Sequence, residues 1–98
     1  MDYVMLLRWK QGLTREQRDG ALLRRAQWSF PQGVEVIAEY WPAADDPAVV
    51  AIFRTEDFPG LMEILFTWGD TFDVTTLPAV SAEQGLRIGP DVLARRQV

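Results

Sequence analysis

The chain has 98 residues, and ten basic against fourteen acidic side chains leave a formal charge of −4, a balance that suits no general affinity for nucleic-acid phosphates. It contains no Cys and no His, which excludes disulfides, thiolate nucleophiles, Cys- or His-ligated metals and any Ser-His-Asp arrangement. At 48% hydrophobic and 24% charged residues it reads as one globular domain. No apolar run approaches the ~20 residues that span a bilayer, and the sequence opens into strand-like residues without a signal core, so a soluble cytoplasmic protein is expected.

Asp2 to Lys10 alternates with period two and reads as a strand with two largely apolar faces, one of Tyr3, Met5, Leu7 and Trp9, the other of Val4, Leu6 and Arg8. Thr14 with Gln17 three residues on forms a capping box for a helix reaching about Ser29, its stripe expected at Leu22, Leu23, Ala26 and Phe30, with Arg15, Glu16, Arg18 and Arg25 in water. Pro31 and Gly33 stop it. Val34 to Trp41 is the second strand, with Val34, Val36, Ala38 and Tyr40 on one face and Glu35, Ile37, Glu39 and Trp41 on the other. Pro42 to Pro47 is a polar turn. Its Asp45 and Asp46 make a poor cation cage without further oxygens, so no metal is expected. Val49 to Thr55 is the third strand. Asp57 and Pro59 open a second helix with the stripe Leu61, Ile64, Leu65 and Trp68 and a stop at Gly69. Phe72 to Pro78 is the fourth strand. Residues 81–98 form a tail with a short helix expected from Asp91, anchored by Leu86, Ile88, Val92 and Leu93.

The order βαββαβ predicts an α+β ferredoxin-like domain over residues 1–80, a four-stranded antiparallel sheet with both helices on one face. The first and third strands are expected to be central and parallel. The face carrying Tyr3, Met5, Leu7, Trp9, Tyr40, Ala51, Phe53 and Phe72 should take the helices. The other carries Val4, Leu6, Ile37, Val50, Ile52 and Leu77 and is too apolar to stay wet, so a second copy of the chain is the expected cover. If the central strands are parallel, Arg8 and Arg54 gather with Asp73 and Glu35 at one end of that face. Such a cluster is either a pocket for an anion or a set of interface ion pairs, the second being the usual fate of balanced charge.

The stretches YVMLLRWKQGLTREQ, AQWSFPQGVEVIAEYW, AIFRTEDFPGLMEIL and WGDTFDVTTLPAV, spanning about residues 2–80, resemble a domain-of-unknown-function family of small bacterial proteins in the dimeric α+β barrel superfamily. The resemblance implies a homodimer whose two sheets face each other as a barrel. In the superfamily's enzymatic members it also implies a ligand cleft between sheet and helices. Those members include cofactor-free monooxygenases, haem-degrading monooxygenases and muconolactone-type isomerases. The haem-degrading pattern needs an axial His and some monooxygenase sites need an Asn; neither residue occurs here, and no cofactor is expected.

Three functional classes follow. The first is a homodimer binding a small apolar or aromatic molecule, with Trp9, Tyr40, Phe53, Arg8, Arg54 and Asp73 as candidate ligand-binding residues. Trp9 and Tyr40 lead because they are expected near strand ends on the helix-facing side, while Trp68 completes a helix stripe and belongs to the core. The second is a structural or protein-interaction module. The third is a cofactor-independent monooxygenase or isomerase in which Tyr40, Arg8 or Asp73 polarises the substrate.

Overall fold

Period-two hydrophobicity and period-3.6 stripes become strands and helices in the expected order. The computed structural model describes residues 1–97 and contains β1 (Asp2–Trp9), α1 (Arg15–Gln27), β2 (Val34–Tyr40), β3 (Val49–Thr55), α2 (Phe58–Trp68), β4 (Phe72–Ala79) and α3 (Ala82–Arg96). The four strands form one antiparallel sheet in the order β2-β3-β1-β4, the ferredoxin-like arrangement. Thr14 caps α1 as expected: its hydroxyl accepts from the Gln17 N–H at 3.1 Å, and Gln17 Oε1 accepts from the Thr14 N–H at 2.8 Å.

The central strands are β1 and β3, but they run antiparallel, not parallel. Each βαβ crossover skips one strand, so β1 is parallel to β2 and β3 to β4, while the β2–β3 hairpin reverses direction between them. The register therefore pairs Arg8 with Asp73 and Asp2 with Arg54 at opposite ends of the sheet. The expected cluster of two arginines and two acids does not form. Arg8 Nη2 lies 3.1 Å from Asp73 at one end, and Arg54 is held by Asp2 at 2.7 Å and by Glu35 at 3.6 Å at the other. Between them lie the half-buried Val4, Leu6, Val50 and Ile52. These pairings hold the Asp2 and Asp73 carboxyls below their ordinary range, chiefly through the hydrogen bonds from Arg54 and Arg8.

The core sits between the sheet and the first two helices and is built on Met5, Leu7, Ala51, Phe53, Ile64, Trp68 and Phe72. Gly60 brings α2 onto β2, since a Cβ there would meet Val34 Cγ2 at 3.1 Å. Buried Thr55 ties the strand end to this corner: its hydroxyl donates to the Gly33 carbonyl at 2.8 Å and accepts from the Asp57 N–H at 2.9 Å. α1 departs from the expected stripe. Leu22 and Leu23 are 54% and 69% exposed, and Ala21 is its buried residue. The face toward the sheet is Arg18, Ala21, Arg25 and then Trp28, because each arginine lays its guanidinium over an aromatic ring and reaches an acid, which a leucine stripe cannot do.

The tail is a fifteen-residue helix, not a short one from Asp91. Ser81 supplies the cap, its Oγ accepting from the Gln84 N–H at 3.1 Å. Pro90 lies inside the helix.

Candidate functional site

Four alanines open a cavity. Ala21 on α1, Ala51 on β3, and Ala44 and Ala48 in the β2–β3 connection stand where the helix, sheet and loop would otherwise meet through larger side chains. The space they leave is about 350 Å³ and is walled by all four tryptophans, Trp9, Trp28, Trp41 and Trp68, with Phe30 and Phe72. The rings brace one another. Trp9 and Phe72 centroids are 4.4 Å apart, Trp28 and Phe30 are 4.6 Å apart, and Trp28 meets Trp68 edge-on at 5.6 Å. A volume of this size falls at the small end of ligand pockets, which are apolar with a few placed polar groups.

Those polar groups line the mouth. Arg18 lies over the Trp9 ring at 5.0 Å and donates to Asp45 at 3.1 Å. The Trp9 N–H donates to the Asp45 carbonyl at 3.3 Å, so the loop is fastened to both α1 and β1. Arg25 donates through Nε to Glu39 Oε2 at 3.1 Å and through Nη1 to the Trp28 carbonyl at 3.1 Å, with its guanidinium over the Trp28 ring. Trp41 Nε1 donates to the same Glu39 oxygen at 2.8 Å.

Burial pushes the Glu39 carboxyl up, but the hydrogen bonds from Arg25 and Trp41 outweigh it and hold the group below its ordinary range. The bond to Glu39 raises Arg25 against the opposing effect of burial. The pair is thus fixed in its ionised form. With Arg18 and Arg25 each already matched to a carboxylate, the walls offer ring contact and dispersion in place of a free cation for an anionic group.

The sequence-predicted residues divide. Trp9 lines the cavity. Phe53 is fully buried, stacked on Tyr3 at 5.8 Å, and belongs to the core behind it. Arg8, Arg54 and Asp73 lie on the opposite face of the sheet, and Tyr40 joins them there, 70% exposed, across from Val50. The expectation that Tyr40 faces the helices fails because the β2–β3 register shifts between Val36 and Ala38. The extra residue reverses the alternation beyond it. Glu39 then opposes Ala51 on the helix side, Ala38 opposes Ile52 on the open side, and Trp41 enters the cavity wall in place of Tyr40. Sequence reasoning missed Trp41, Glu39, Arg25 and Ala21. The available signal was Ala21 in helical register with Arg18, Arg25 and Trp28.

Among the described residues no group of three or more Asp and Glu side chains is placed to hold a metal ion, and no helix is long and apolar enough to cross a membrane.

The fold and cavity define a ferredoxin-like α+β domain with an aromatic-walled pocket between sheet and first helix. Residues 1–93 match the family described as "Domain of unknown function (DUF3303)", and the chain belongs to it. No match was found among curated proteins or among solved structures.

Proposed function

We propose that this protein works in the bacterial cytoplasm as a homodimer that binds a small apolar or aromatic molecule in the cavity between α1 and the sheet. The observation that carries the reading is the 350 Å³ space walled by four tryptophans over a floor of alanines. A core selected for stability alone would fill it with side chains, since interiors are close-packed and each Å² of apolar surface buried stabilises by about 25 cal/mol. Residues that an enzymatic reading would use, Tyr40, Arg8 and Asp73, do not line this space, so binding is favoured over catalysis.

The dimer is argued from the open face of the sheet, where Val4, Leu6, Val50, Ile52 and Leu77 form an apolar strip with an ion pair at either end. A two-fold pairing of sheets covers this strip in both copies at once. Ile52→Glu sets an unpaired charge in that seam and yields monomer by sedimentation; an unchanged dimer refutes the sheet pairing.

Titration with 2-naphthol tests the binding reading. All four tryptophans border the space, so their fluorescence reports occupancy, and saturation at a hundred times Kd stabilises the fold by about 2.7 kcal/mol. A panel of one- and two-ring aromatics that changes neither fluorescence nor Tm supports the structural or interaction module instead.

A further inference from the structure

α3 sorts its residues along most of its length, and only in its last turn does a charge, Arg96, fall on the apolar side. Glu83, Arg87, Asp91 and Arg95 follow one another at intervals of four along one side, with Arg87 donating to Glu83 at 3.0 Å. Leu86, Ile88, Val92 and Leu93 occupy the other side, 80%, 43%, 48% and 57% exposed. An isolated fifteen-residue helix with two glycines and a proline is a poor helix former, and helices of this length draw their stability from packing an apolar face. Yet no residue of α3 is buried.

The shape of the chain says the same. Its radius of gyration is 16.3 Å and its longest dimension 56 Å, against about 13 Å expected for the radius of a compact domain of this length. The helix, about 22 Å long, extends from the edge strand β4 with its apolar side uncovered by its own domain.

We infer that α3 is an exchange arm, its apolar side buried by a second copy of this chain. The inference rests on the homodimer reading above and adds the element that completes the dimer. Four strands of about seven residues present a footprint of roughly 450 Å², well short of the ~800 Å² per partner that stable pairs bury. One side of a 22 Å helix about 10 Å across adds a footprint of roughly 220 Å², and under two-fold symmetry each copy also loses a similar area that its partner's arm covers. Sheet and arm together reach the required area, whereas the sheet alone does not. Gly85 and Gly89 lie along the middle of the apolar side. A Cβ at Gly89 would meet nothing within 4 Å, and one at Gly85 only Val80 at 3.9 Å, so nothing within the chain demands the glycines. A partner surface approaching closely along that line does.

The test uses variants of the 98-residue chain, because Leu86 and Leu93 are exposed and a side chain at Gly89 would meet nothing of its own domain within 4 Å of its Cβ. Leu86→Lys with Leu93→Lys weakens dimerisation by about a hundredfold in sedimentation equilibrium, as charge placed in an apolar contact does. At concentrations where wild type is monomeric it leaves Tm unchanged. Gly89→Leu raises helicity by circular dichroism, since leucine is the better helix former, yet weakens the dimer. An unchanged dimer in both variants overturns the arm. A Tm loss in the double-lysine variant at monomer concentrations also overturns it, because the apolar side would then be packing on its own domain. A wild-type monomer at all concentrations overturns the arm together with the homodimer. Dissociation by the lysines with an intact Ile52→Glu dimer leaves the arm standing and removes only the sheet pairing.

Discussion

Ala21→Leu puts the cavity to a stability test. Ala21 is 6% exposed and faces the void from α1. Leucine matches alanine closely in helix propensity, so the backbone is nearly indifferent to the change. The three added carbons enter apolar space already bounded by Trp28, Trp68 and Phe72. At ~0.8 kcal/mol per buried methylene, and allowing for the open mouth, the gain is about 1–2 kcal/mol. For a domain of this size that is about 5–10 °C in Tm. Differential scanning calorimetry at one fixed protein concentration reads the shift free of any dimer linkage. The same variant loses 2-naphthol binding, because the guest and the leucine claim one volume. A Tm lowered by the 1–3 kcal/mol typical of overpacking refutes the claim that the space is empty and accessible. A raised Tm with undiminished naphthol affinity places the ligand elsewhere.

Glu39→Gln removes the counter-ion of a guanidinium that is only 30% exposed and costs about 1–2 kcal/mol in urea unfolding, less than a fully buried pair would. The wild-type pair also sets an acid limit. A carboxyl held below its ordinary range stabilises the fold above its unfolded pKa, and that contribution is lost as pH falls through the depressed folded value. Wild-type Tm therefore drops below the ordinary carboxylate range, and the Glu39→Gln variant shows a shallower acid slope there; parallel slopes would argue against the pair's role. Thr55→Val leaves the Gly33 carbonyl and the Asp57 N–H without their shared partner at a cost of about 2 kcal/mol, and a loss under ~0.5 kcal/mol would mean that water replaces the hydroxyl.

Element order and the capping box at Thr14 were legible because they are local, depending on alternation, stop residues and a three-residue spacing. The antiparallel relation of β1 and β3 follows from topology alone once each crossover skips a strand, so the opposed Arg8 and Arg54 were derivable without coordinates. The buried side of α1 was not. Two stripes compete on that helix, and hydropathy prefers Leu22, Leu23 and Ala26. The chosen stripe wins through partners on other elements: Trp9 beneath Arg18, Glu39 and Trp28 beside Arg25. Asp70 similarly clasps Arg24 through two bonds of 3.0 and 3.1 Å while Trp68 lies beneath that guanidinium at 4.5 Å. Long-range pairs of this kind leave no periodic trace. The full length of α3 was written at Ser81 and Gln84, whose spacing is that of a cap, but Gly85, Gly89 and Pro90 masked it.

The choice between Tyr40 and Trp41 as the cavity residue turns on one amino acid. Val34 and Val36 pair with Thr55 and Phe53 on the helix side, and Ala38 resumes pairing at Ile52, so Ile37 is the residue the ladder passes over. Removing it leaves Val36 followed directly by Ala38, with Ala38 still outward, Glu39 still inward toward Arg25, and Trp41 still in the wall. Deletion of Ile37 is therefore tolerated. It straightens an edge strand, where register changes are cheapest, keeps the Arg25–Glu39 pair, and retains naphthol affinity within about threefold, or ~0.6 kcal/mol. Deletion of Ala38 instead puts Ile37 in its place opposite Ile52 and is tolerated in the same way, whereas inserting an alanine after Ala38 turns Glu39 and Trp41 outward and Tyr40 inward. The insertion exposes a carboxylate that Arg25 needs and removes one wall of the pocket, so binding is lost and stability falls by about the cost of Glu39→Gln or more. If instead deletion of Ile37 abolishes binding as the insertion does, β2 alternates without a bulge in solution and Tyr40, not Trp41, lines the site.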